Sequence, residues 1–209
     1  MPVYTIYNDT GEEGISGYEL LDGDMDKVRP QGYEFVAPTY SVILDDGTII
    51  RKGRMSTGLR NDPTHLTTKI LWKGRKRQLT DLQRAHSSLL VRDNFRKVVE
   101  ALEPGVHQFE PVEIVWRDGS SAGQFFWFYP CTRLDGMDRE HTTHTLHRER
   151  VWDEVSGGKY VVSLKRIGSH HVWFDKRAMW HLPYVSAAFK QAMAEAGVNG
   201  IGYHECEAV

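Results

Sequence analysis

The chain has 209 residues, is 40% hydrophobic, carries a formal net charge of −2 and contains two cysteines, enough apolar content to bury a core without disulfide or metal support. The small net charge gives no global argument for a nucleic acid or a membrane as partner. Two cysteines outside any CxxC pair make no disulfide framework, no window approaches the length of an apolar membrane span, and the start MPVYTIYND lacks a secretion signal, so the expected setting is a reduced cytoplasm.

In chain order, Val3 to Tyr7 alternates β-formers and reads as an edge or first strand. The next segment holds Gly11, Gly14, Gly17 and Gly23 and reads as loop. Tyr40 to Gly53 is a hairpin, two β-rich runs around Asp46-Gly47. Residues 55 to 78 give no periodic signal beyond Lys69 to Trp72, and a short helix is expected through Leu82 and Ala85. A second helix follows, capped by Asp93, with Phe95, Val98, Val99 and Leu102 at helical spacing and Pro104-Gly105 as its stop. QFEPVEIVWRDG and QFFWFYP predict a second hairpin, KYVVSLKRI and HHVWF two further strands, and Ser186 caps a last helix from about Ala187 to Ala196 that leads into GIGYHE. Shifting residues 91 to 109 by 94 positions brings Val91, Phe95, Val99, Leu102 and Phe109 onto Val185, Phe189, Met193, Ala196 and Tyr203. Both stretches therefore read as an apolar entry, an amphipathic helix, a turn and a strand.

Charge is unevenly distributed. Seven acidic residues, Asp9, Glu12, Glu13, Glu19, Asp22, Asp24 and Asp26, precede the first Lys or Arg, whereas Arg51 to Arg77 carries nine basic residues against Asp62 alone. Such blocks are solvated faces, complementary internal surfaces, or a docking site for a charged partner.

Four motifs invite a chemical reading. His141, His144 and His147 span one arc if they lie on a helix and would then converge on a metal ion. Their Thr neighbours are poor helix formers, Arg148 and Arg150 add positive charge, and in a strand His144 points away from the other two. A metal-dependent enzyme built on these histidines, aided by Asp138 or Glu140, is the alternative functional reading. Gly119-Ser120-Ser121-Ala122-Gly123 matches the nucleophile-elbow pattern, but its flanks predict a hairpin tip and not the strand-to-helix turn that the chemistry needs. Trp72 to Arg77 offers cations and one aromatic platform for a nucleic-acid module, opposed by the acidic block. His170, His171 and His181 sit among apolar residues, one of the adjacent pair half-buried and the other wet, with His181 a structural donor. No cofactor motif is present.

The second half resembles the immunity protein eleven family associated with bacterial polymorphic toxins, over roughly residues 85 to 205. The resemblance rests on Gln108-Phe109-Glu110-Pro111-Val112 after a helix, on the turn Leu134-Asp135-Gly136-Met137-Asp138, and on Ser186, Lys190, Ala192, Ala196, Gly197 and Gly200 in the closing helix–turn pattern. It implies a protein that binds and neutralises a cognate toxin by surface complementarity, with no catalytic residues, no cofactor and no membrane. The histidine-rich stretch is then a connection free to contact the partner. If the toxin is a nuclease, Glu12, Glu13, Asp22, Asp24 and Asp26 are the candidate partner-binding residues, as mimics of the polyanion. The expected fold is α+β, mostly antiparallel sheet with a few short helices, arranged as an N-terminal β-rich subdomain (1–80) and an immunity-protein-like domain (81–209).

Overall fold

The structure, a computed structural model, describes residues 1–9, 17–52, 57–148, 150–178 and 182–209. Gly11, Glu12, Glu13, Gly14, Gly53 and His181, named above, lie outside the described residues.

The chain opens with β1 (Val3–Asn8) and a short β2 (Tyr18–Leu20). The hairpin of β3 (Ser41–Ile43) and β4 (Ile49–Arg51) follows, its turn made by Gly47 in the left-handed region. Next come β5 (Lys69–Trp72), β6 (Leu82–Ala85), β7 (Ser88–Val91), α1 (Asp93–Leu102), β8 (Gln108–Trp116) and β9 (Ser121–Tyr129). The remaining elements are β10 (Arg133–Leu134), a second small hairpin of β11 (Thr145–His147) and β12 (Val151–Asp153), β13 (Val161–Val162), α2 (Leu164–Ile167), β14 (Val172–Asp175), β15 (Tyr184–Ser186), α3 (Ala187–Glu195) and β16 (Ile201–Ala208).

Two six-stranded sheets carry the fold, in the orders β2-β5-β8-β9-β7-β6 and β10-β14-β15-β1-β16-β13. Their inner connectivity is the same. In the first, β6 and β7 form an antiparallel hairpin, α1 leads from β7 to β8, β9 lies antiparallel between β7 and β8, and β5 pairs with β8 in parallel. In the second, β14 and β15 form the hairpin, α3 leads from β15 to β16, β1 lies antiparallel between β15 and β16, and β13 pairs with β16 in parallel. The shift of 94 residues found in the sequence is thus the register between two like halves, the second taking its central strand from the N-terminus. Both sheets draw strands from either side of residue 80.

The halves meet through their helices. Phe95 of α1 and Phe189 of α3 are fully buried and stack edge to face at 5.8 Å, joined by Val91, Val99, Val185 and Met193. Each such ring contributes about 1.5–3 kcal/mol of burial, plus about 1 kcal/mol for the aromatic pair. Alternate residues of each sheet face this shared core and an outer one: Phe128 looks inward and Trp127 outward, Tyr4 and Ile6 inward and Val3 outward. The outer cores hold Met25 in one half and Met137 in the other, each supplied by a Leu-Asp-Gly turn, Leu21-Asp22-Gly23 and Leu134-Asp135-Gly136.

Several expectations are corrected. The stretch through Leu82 and Ala85 is a strand, because the backbone reverses at His86 and Ser87, both at positive φ, and pairs Leu82 with Val91. Asp93 is the first helical residue of α1 and makes no cap; Arg92 holds the N-cap position, and the Asp93 carboxylate pairs with Arg96 and Lys97. KYVVSLKRI is strand only at Val161–Val162, then turns into α2. Of the two readings of Val3 to Tyr7, β1 is the first strand and not an edge, since it is hydrogen-bonded on both sides. The Ser186 cap is present: its hydroxyl accepts the Phe189 N–H at 3.1 Å, a contact worth about 1 kcal/mol.

Candidate functional site

The described acidic residues have different employments. β2 lies antiparallel to β5, which brings the acidic and basic blocks together: Glu19 meets Lys73 at 3.0 Å. The Asp22 carboxylate is consumed internally, accepting the N–H of Thr68 (2.8 Å) and of Lys69 (3.1 Å) and the Thr68 hydroxyl. Burial pushes the Asp22 carboxyl up, but these hydrogen bonds outweigh it and hold it below the usual carboxylate range. Asp24 is half-buried and Asp26 exposed. Asp24 pairs with Lys27 at 3.0 Å, which lowers its carboxyl, and Asp26 stands 4.0 Å from both Lys52 and His86.

The three histidines do not converge. The His141 ring Nδ1 lies 2.8 Å from Asp138, which also accepts the His141 backbone N–H. His144 Nδ1 accepts the Val155 N–H at 3.2 Å, and its ring packs on Tyr160. His147 projects from β11 toward Asp153 of β12, 3.6 Å away. Among the described residues no group of three or more His, Cys, Asp or Glu is placed to hold a metal ion.

Trp72 cannot serve as a stacking platform, because it is 2% exposed and packs in the outer core beside Tyr18. Lys76 of the same stretch is bound to Asp118 (2.9 Å) and Ser120 (2.8 Å). The elbow-like Gly119 to Gly123 stretch closes the β8–β9 hairpin, where the Ser120 hydroxyl donates to Asp118 and the Ser121 hydroxyl accepts the Gly123 N–H. Ser120 ends the turn and Ser121 opens β9.

A buried acid–imidazole pair does exist, at the seam between the halves. Glu103, at the end of α1, accepts His107 Nε2 at 2.8 Å, the His171 N–H at 3.1 Å and the Val172 N–H at 3.0 Å, with His170 Nδ1 3.3 Å away. His107 is wholly buried, and its Nδ1 accepts the Cys131 N–H at 3.0 Å, so neither ring nitrogen is free to take a substrate proton. Burial pushes the Glu103 carboxyl up, yet the hydrogen bonds from His107 and His171 hold it below the usual range. The group is a clasp. His170 and His171 are both half-buried, His171 through a 2.8 Å contact of its ring with Ser186.

One feature escaped the sequence reading. Val36, Tyr40, Ile43 and Ile49, all on or beside the β3–β4 hairpin, are 50, 59, 54 and 64% exposed. The sequence signal was the pair of apolar runs Val42-Ile43-Leu44 and Ile49-Ile50, unbroken where a half-buried hairpin alternates.

The described residues thus present a doubled scaffold whose motifs are spent on turns, caps and a clasp, and no helix long and apolar enough to cross a membrane. A family model described as "Immunity protein family (Imm11)" matches residues 21–208, reaching well upstream of the 85–205 covered by the resemblance above. No curated protein matches the chain. Since that match runs through both sheets and their shared core, the chain belongs to the Immunity protein family (Imm11).

Proposed function

We propose that this protein binds a cognate bacterial toxin in the cytosol and neutralises it by covering a surface the toxin needs. The observation that carries the reading is the family match over residues 21–208. It is supported by the employment of the candidate catalytic motifs in turns and hydrogen bonds of the fold, and the two unpaired cysteines, Cys131 and Cys206, suit a reducing compartment.

For a toxin that acts on nucleic acid, the groove to be covered is positive. Glu12, Glu13, Asp22, Asp24 and Asp26 then steer association, Asp22 through its charge, since its oxygens already accept from Thr68 and Lys69. The test uses the full chain, tagged, as bait in a lysate of the cells that make it. A retained partner is identified by mass, purified, and assayed for toxicity and enzymatic activity with and without this protein. Stoichiometric loss of the partner's activity is expected. A retained partner that stays fully active, or a cell equally poisoned with and without this chain, contradicts the reading.

A further inference from the structure

The two like halves treat one strand edge differently. Asp9 donates its backbone N–H to Gly200 at the end of the β1–β16 ladder. The even-numbered residues of β16 therefore turn their backbone groups to β1, and the odd-numbered ones turn theirs to the opposite edge. At that edge β13 covers β16 from Glu207 onward. Upstream of it, Ile201, Tyr203 and Glu205 have no strand beside them among the described residues, and their outward N–H and C=O groups have no hydrogen-bond partner there.

The shift of 94 residues puts these three on His107, Phe109 and Pro111, and puts Glu207 on Glu113, where β5 begins to cover β8. In that half the stretch is blunted. Pro111 has no N–H to offer, and the Gln108 side chain accepts the Asn61 N–H at 2.7 Å and donates to the Asn61 carbonyl at 2.9 Å. Unpaired edges need such devices because a row of free backbone groups templates a further strand. In β16, Glu205 stands where Pro111 stands, with its N–H intact.

Such a row is complementary to an extended chain, and the charge of Glu205 narrows which chain. Lys159 is bound to Glu207, and Lys190 lies over the Tyr4 and Tyr203 rings. Glu205 is left exposed and without an ion pair among the described residues, as is Glu140, which lines the same groove beside β16. A second copy of this chain, paired edge to edge, sets Ile201, Tyr203 or another Glu205 opposite Glu205, and none of these is a cation. A foreign strand carrying Lys or Arg at that place complements it.

We propose that the toxin adds an extended strand to the free edge of β16, hydrogen-bonded to the backbone of Ile201, Tyr203 and Glu205, with a Lys or Arg side chain against Glu205. The proposal rests on the immunity reading and deepens it. The test uses the full chain and the toxin purified as above. Amide hydrogen exchange is read residue by residue in the free chain and in the complex, and calorimetry measures binding by the wild type, Glu205→Pro and Glu205→Lys. Pro111 shows that this place in the fold accepts proline, and Glu205→Lys leaves the backbone as it is, so both variants fold.

In the free chain the Tyr203 and Glu205 amides are expected to exchange fast and that of His204, turned to β1, slowly; in the complex all three are protected. Both variants are expected to bind at least about tenfold more weakly with an unchanged melting temperature. Wild-type affinity in either variant, or Tyr203 and Glu205 amides that exchange as fast in the complex as in the free chain, overturns the strand addition and leaves the immunity reading standing. A wild-type chain that neutralises no toxin overturns both. A wild-type dimer in sedimentation that Glu205→Pro converts to monomer assigns the edge to a second copy, and the toxin strand is then the wrong occupant.

Discussion

Replacing Glu103 by alanine tests the claim that its carboxylate is a clasp between the two halves. The side chain is 8% exposed and accepts hydrogen bonds from His107 on its own half and from the His171 and Val172 backbone on the other. Alanine leaves three donors facing an apolar gap, at about 1–3 kcal/mol each if buried and unsatisfied. Partial access of water near the half-exposed His170 ring reduces that sum, and about 3–5 kcal/mol is the expected loss, as for breaking a buried pair. In a chain of this length each kcal/mol moves the melting temperature by roughly 2–4 °C, so Glu103→Ala should melt roughly 6–20 °C below wild type. Glu103→Gln, which keeps one oxygen, should lose about half as much. Thermal unfolding followed by circular dichroism reads both. An alanine variant melting within about 2 °C of wild type would refute the clasp.

The same carboxylate predicts a pH dependence. Its pKa in the folded protein lies below the ordinary value of 4.5, so it contributes stability that is fully present above that value and is lost as pH falls through the folded-state value. Denaturant midpoints should therefore fall below pH 4.5 in the wild type and fall less in Glu103→Gln. Asp22→Ala, which frees the Thr68 and Lys69 N–H groups at an exposed turn, should cost about 1–2 kcal/mol in denaturant titration. Asp24→Asn/Asp26→Asn should slow association with a nuclease-type toxin and flatten its salt dependence in stopped-flow mixing; an unaltered on-rate removes both residues from the encounter. Ser186→Ala should destabilise by about 1 kcal/mol through loss of the α3 cap.

What the sequence displayed, and what it hid, follows from how local each signal is. The Asp46-Gly47 turn, the β8–β9 hairpin and the Ser186-capped helix are determined by residues a few positions apart, and they occur where the pattern puts them. The β6–β7 hairpin was hidden because His86 and Ser87 adopt the left-handed turn usually marked by Asn-Gly, while Leu82, Ala85 and Leu89 fall at helical spacing. The interior position of β1 was hidden for another reason. Its partners, β15 and β16, lie near the far end of the chain, and nothing within Val3–Asn8 records that both its edges are paired. The candidate site divides in the same way. The acidic block was visible as composition, but Asp22 differs from Asp24 only through a turn at Thr68, more than forty residues on. Ile43 and Ile49 differ from Val42 and Ile50 only in which face of the ribbon they occupy.

The most direct test of the central claim is a titration. The partner captured by this protein is purified, its activity is followed as the wild-type chain is added, and the same addition is made in cells expressing that partner. Complete inhibition at a one-to-one ratio, with restored growth, is the predicted result. A bound partner that keeps its activity at saturation would contradict the claim that this chain neutralises a toxin.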